Sequence, residues 1–144
     1  MNNLEYIEDI RNQILAEEKV QLALPEDFII PEIILIENDD ERFLAWAYRE
    51  KIQVNIWCVV DTEQLWRTMR HEVAHCIQYQ NGIESGHSHG FRTFLQELYG
   101  SDVCFYYNGS NLLSEAAAAF SKRRSPFITD RQKIILENIL NGDR

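Results

Sequence analysis

The residues best suited to chemistry lie close together. The chain holds four histidines, His71, His75, His87 and His89, all between positions 71 and 89. Two of them frame the run His71-Glu72-Val73-Ala74-His75. On a helix, the i,i+4 spacing puts both imidazoles on one face, a turn apart. Their nitrogens can then converge on one zinc ion at Zn–N distances of about 2.0–2.1 Å. Glu72 follows His71 directly, so it projects about 100° around the helix, beside the ligand face. From there a carboxylate reaches a zinc-activated water without ligating the metal, which is the position of a general base.

Catalytic zinc takes three protein ligands and leaves the fourth position to water. The segment 83–90 is rich in Gly, Ser and His, as a loop would be, and offers the third ligand. If His87 ligates, Phe91, Phe94, Leu95 and Leu98 follow it at helical spacing as an apolar stripe that anchors the next helix. If His89 ligates, Thr93, Gln96 and Glu97 take those positions, a less coherent stripe. His87 is the preferred third ligand and His89 the alternative.

The elements that must position these residues show in the hydrophobic pattern. Leu65, Met69, Val73 and Ile77 form an apolar stripe through the motif, with Trp66 and Cys76 beside it. Asp61 or Thr62 can cap this helix, Gln64 completes a capping box after Asp61, and Asn81-Gly82 stops it. Gly100 ends the helix that begins near Phe91. Upstream, Leu4, Ile7, Arg11 and Ile14 predict an amphipathic helix over about residues 3–19, its apolar face widened by Ile10 and Leu15, and Pro25 and Pro31 punctuate the chain after it. The runs 33–36, 42–49 and 52–60, with turn residues Asn38-Asp39-Asp40 between the first two, predict a three-stranded meander. Val103 to Tyr107 suggests a fourth strand, and two helices are expected over 112–123 and 129–140, separated at Ser125-Pro126. The expected fold class is α+β: an N-terminal helix, a small, mostly antiparallel sheet of three to four strands packed on the motif helix, and a C-terminal helical segment over about 110–142.

A length of 144 residues fits one domain over 1–144 with a single core, its metal-binding part over about 50–100. No apolar run approaches the roughly 20 residues a membrane span needs, so no membrane partner is expected. The start, Met1-Asn2-Asn3-Leu4-Glu5, lacks the basic and apolar regions of a signal peptide, which predicts a cytoplasmic protein. Cys58, Cys76 and Cys104 are odd in number and widely spaced, so buried thiols are expected rather than a disulfide framework or zinc ribbon. A net charge of −9 disfavours binding to phosphate backbones. The basic run Lys122-Arg123-Arg124 fits a solvated helix end.

The order His71-Glu72-Val73-Ala74-His75, a loop, and then His87-Ser88-His89-Gly90-Phe91-Arg92 resembles the SprT-like (Spartan-type) zinc metallopeptidases. Their pattern is a helix bearing H-E-x-x-H, a variable loop, and H-G/S/N-x-x-F/W leading into a helix. The resemblance covers about residues 50–100. It implies a zincin-like fold, with His71, His75 and His87 holding Zn²⁺ and Glu72 as catalytic base. It also implies hydrolysis of peptide bonds in a protein or peptide substrate. A nucleic-acid partner is implied by the resemblance alone.

Two other readings stay open. Gluzincins complete the zinc site with a Glu on a later helix. Glu115, in the small-residue run Ser114-Glu115-Ala116-Ala117-Ala118-Ala119-Phe120, is such a candidate, and Glu97 is another. Alternatively, the chain binds zinc as a non-enzymatic protein-interaction module. For an enzyme, an extended substrate could add to an edge strand, and Tyr99, Tyr106 and Tyr107 are the candidate groups for stabilising an oxyanion.

Overall fold

The computed structural model describes residues 2–37, 44–59 and 62–101. The expected turn at 38–40, the capping residue Asp61, the strand at 103–107, the two C-terminal helices, Cys104, Tyr106, Tyr107, Glu115 and the 122–124 basic run lie outside them. The described chain runs helix α1 (Asn3–Leu15), helix α2 (Glu18–Ala23), strands β1 (Glu32–Ile36), β2 (Ala45–Ala47) and β3 (Lys51–Asn55), a 3₁₀ turn (Ile56–Cys58), helix α3 (Thr62–Gln80) and helix α4 (His89–Tyr99). This is an α+β arrangement. Among the described residues, no helix is long and apolar enough to cross a membrane.

α1 starts where the Asn2 side chain accepts a hydrogen bond from the Glu5 backbone N–H at 2.8 Å, satisfying one of the free donors of the first turn. It buries Ile7, Ile10, Ile14 and Leu15. The single helix expected to residue 19 is instead two. Glu17 takes an extended conformation between them. The break turns Val20 into the core, and the Gln21 amide donates to the Leu15 carbonyl, capping the open end of α1.

The sheet departs from the expected meander. Its order is β1-β3-β2, and β1 pairs with β3 in parallel, from Glu32 opposite Lys51 to Ile36 opposite Asn55. β2 pairs antiparallel with β3, Ala45 opposite Val54 and Ala47 opposite Ile52. The sheet is therefore mixed rather than mostly antiparallel. Burial explains which strand is central. Ile52 and Val54 of β3 are fully buried, and a strand with ladders on both sides suits that position. β2 is only three residues long and leaves Trp46 half exposed, as an edge strand can. The strand expected over 52–60 stops at Asn55, where the chain tightens into the 3₁₀ turn.

One sheet face packs on α1 and α3. The stripe Leu65, Met69, Val73 and Ile77 of α3 is fully buried. Packing on several sides also buries polar residues of this helix, and these require partners. Gln80 has them. Its side-chain carbonyl accepts from the Ile29 N–H at 2.8 Å, and its amide donates to the carbonyls of Ile29 and Arg49 at 2.9 and 2.8 Å. One side chain thus ties the loop before β1 to the turn after β2. α3 ends at Gln80, and Gly82 takes the positive φ of 76° that its backbone turn requires.

Candidate metal centre

α3 carries His71 and His75 on one face, both buried. Their Nε2 atoms lie 3.1 Å apart. The loop after α3 brings in His87, whose Nε2 is 3.0 Å from that of His71. Among the described residues, these three histidines form one group able to hold a metal ion. His89 lies outside it. The reason is local: Ser88 caps α4, its hydroxyl accepting from the Phe91 N–H at 3.3 Å, so the helix begins at His89. His87 stays in the loop and reaches back to α3.

Phe91 forms one wall of the group. Its ring stacks on His75 at 4.0 Å between centroids with the planes 3° apart, and meets His71 edge-on at 5.1 Å. Phe91 is itself buried, together with Leu95 and Leu98 of the same helix face. The apolar stripe of α4 therefore anchors the site as well as the helix.

Glu72 is buried beside the cluster, with Oε1 3.7 Å from His71 Nε2. Burial pushes its carboxyl up to about 8, and a hydrogen bond from the Ala47 backbone partly offsets this. Burial also pushes His75 down to about 3, with His71 and His87 adding to the effect. The Cys76 thiol, one turn beyond Glu72, is raised by burial and then by Glu72. It donates to the Tyr48 carbonyl at 3.1 Å. Cys58 and Cys76 are buried thiols.

The donor set fits a divalent ion such as zinc. Tetrahedral ligation at Zn–N distances of about 2.0–2.1 Å separates ligand nitrogens by about 3.3–3.4 Å. The observed 3.0 and 3.1 Å come within a few tenths of an ångström of that. A neutral imidazole protonated at Nδ1 carries its lone pair on Nε2, so the three rings can each offer one lone pair to a shared cation. The same cation would favour the charged form of Glu72.

Several contacts have no signature in residue types or spacing. His75 Nδ1 lies 2.6 Å from the Ser85 hydroxyl, which donates to Gln78 Oε1 at 2.6 Å. Tyr79 donates to the Ser85 carbonyl at 3.0 Å and stacks beside His75. Tyr99, a candidate oxyanion group by sequence, instead donates to the Arg70 carbonyl at 2.8 Å and lies under the Arg70 guanidinium. That guanidinium also pairs with Glu17. Tyr99 is thus part of a brace between α3, α4 and the α1–α2 junction. Glu97 is likewise outside the metal-binding group.

Comparison with protein-family models, curated proteins and solved structures finds no match to this chain.

Proposed function

We propose that this chain is a zinc-dependent metallopeptidase domain with a zincin-like, SprT-like site. The observation that carries the reading is the convergence of three imidazole Nε2 atoms, from His71, His75 and His87, beside the buried carboxyl of Glu72. A purely structural zinc site needs no such carboxyl. Zinc held by the three histidines would supply Lewis acidity toward a peptide carbonyl and lower the pKa of water.

The chain's own residues account for the remaining chemistry. Glu72, as carboxylate, accepts a proton from the attacking water and returns it to the leaving amine. Phe91 holds the imidazole planes and keeps water from that side of the cluster. β2 supplies the substrate edge. Leu44 and Tyr48 bond to β3 through their backbones, so by antiparallel alternation the backbone groups of Ala45 and Ala47 face away from it, the Ala47 N–H toward Glu72 and the Ala45 groups and Ala47 carbonyl toward an added strand. An extended peptide adding along that edge runs past Glu72, which is bonded to Ala47. The substrate is thus a protein or peptide in extended conformation.

The test joins metal analysis of the purified protein to cleavage assays on a panel of unfolded proteins. The reading expects bound zinc, cleavage that a chelator stops and zinc restores, and no cleavage by Glu72→Gln. Zinc without cleavage, equal for wild type and Glu72→Gln, would favour the non-enzymatic binding module.

A further inference from the structure

We propose that Ser85 and Gln78 form a hydrogen-bond relay that holds His75 in its Nδ1–H tautomer, committing the Nε2 lone pair to the metal. The inference rests on the three-histidine centre proposed above and names residues that position one of its ligands.

The direction of the relay follows from proton counting. Gln78 Oε1 is a carbonyl oxygen and only accepts. The Ser85 hydroxyl, 2.6 Å away, therefore donates its single proton to it. Toward His75, the same hydroxyl oxygen has only lone pairs left. The 2.6 Å contact between Ser85 Oγ and His75 Nδ1 must then be a bond in which the imidazole donates. A neutral imidazole protonated at Nδ1 carries its lone pair on Nε2, the atom 3.1 Å from His71 Nε2 in the cluster. Gln78 thus sets the proton on Ser85, and Ser85 sets the proton on His75.

The surroundings hold the relay in place. Gln78 and Ser85 are both buried, so water does not readily substitute for either partner. The Gln78 backbone carbonyl accepts from the Ile83 N–H at 2.9 Å, folding the loop back over the end of α3. The Tyr79 hydroxyl secures the Ser85 carbonyl. The loop that delivers His87 is therefore pinned by the same residues that orient His75, so one helix end and one loop organise two of the three ligands.

Zinc affinity by chelator competition and the ¹⁵N shifts of the His75 ring in the metal-free protein test the proposal. In the wild type, His75 should be protonated at Nδ1. Ser85→Ala should weaken zinc binding about 10–100-fold, as loss of such an orienting partner typically does. Gln78→Met leaves the Ser85 hydroxyl intact but frees its proton to turn toward Nδ1. It should move His75 toward the Nε2–H form and weaken zinc binding, a response that a merely structural Gln78 would not produce. Ser85→Thr keeps the hydroxyl and should retain both the Nδ1–H tautomer and wild-type affinity. An Nε2–H tautomer in the wild type, or unchanged tautomer and affinity in Gln78→Met, would overturn the relay while leaving the zinc centre standing. A wild-type protein that takes up no zinc would overturn the centre itself, and the relay's role with it.

Discussion

The Glu72 carboxyl accepts a hydrogen bond from the backbone of Ala47, joining the metal-centre helix to the edge strand of the sheet. Glu72 lies on α3 and Ala47 on β2, so the proposed proton acceptor and the proposed substrate edge are held in one register. The bond also explains why a buried carboxyl tolerates its position: a backbone donor offsets part of its desolvation. The order β1-β3-β2 is what leaves this edge available, because an expected meander would have placed β2 in the middle.

Glu72→Gln separates ligation from catalysis. The amide is nearly isosteric and can still hydrogen-bond locally, but it cannot take a proton from water. Zinc content should match the wild type, while turnover of unfolded protein substrates falls by about 10²–10⁴-fold, the usual worth of a positioned general base. Metal analysis and initial rates on the same preparations check both parts. Loss of zinc from Glu72→Gln would make Glu72 a ligand instead.

Removing the third ligand should identify it. His87→Ala is expected to lose zinc at chelator concentrations that the wild type resists, because its Nε2 lies 3.0 Å from that of His71. His89→Ala should keep wild-type affinity, since His89 stands outside the cluster in the first turn of α4. Glu115→Ala should also keep it. Competition titration of the three variants ranks them, and a Glu115→Ala defect larger than that of His87→Ala would move the assignment to a gluzincin-type site.

The parts of the site legible in the sequence are those governed by local geometry. The i,i+4 spacing of His71 and His75 needs only a helix, and the stripe Leu65, Met69, Val73 and Ile77 announces one. The apolar stripe of α4, also a local pattern, favours His87, although the device that separates it from His89 is the Ser88 cap. Strand order was not legible. A parallel pairing of β1 with β3 is a choice among distant partners, and each strand's own pattern is compatible with a meander. Nor does any local pattern mark Gln21 as the group that caps α1. Ser85 and Gln78 are ordinary polar residues until the loop folds back and places them against His75.

Gln80 offers a test of the scaffold apart from the site. Gln80→Leu removes three hydrogen bonds, leaving the Ile29 N–H and the Ile29 and Arg49 carbonyls without this partner. Unsatisfied buried groups cost about 1–3 kcal/mol each, and partial access to water reduces the sum. A loss of about 2–4 kcal/mol in urea unfolding is expected on that scale, with zinc affinity of the folded protein little changed because Gln80 touches no ligand. A fall in affinity matching the fall in stability would show instead that the loop before β1 supports the metal centre directly.

The metal-free protein should have a stability profile set by two buried groups with opposite signs. Glu72 is raised from 4.5 to about 8, so its fold-bound proton is released on unfolding in that range. Its contribution is fully present below pH 4.5 and is lost as pH rises through about 8. His75 is lowered from 6.5 to about 3, so unfolding takes up a proton between those values. Its contribution is present above pH 6.5 and is lost as pH falls toward 3. Between pH 4.5 and 6.5 the two slopes oppose each other. From pH 6.5 to about 8, the Glu72 slope stands without that opposition and should remove about 2 kcal/mol. Urea unfolding of chelator-treated protein across this range should therefore show stability declining with pH, and Glu72→Gln should flatten the decline. Saturating zinc should abolish it in the wild type, because the ion favours ionised Glu72 in the folded state. A decline that persists unchanged in Glu72→Gln would assign the proton to another group.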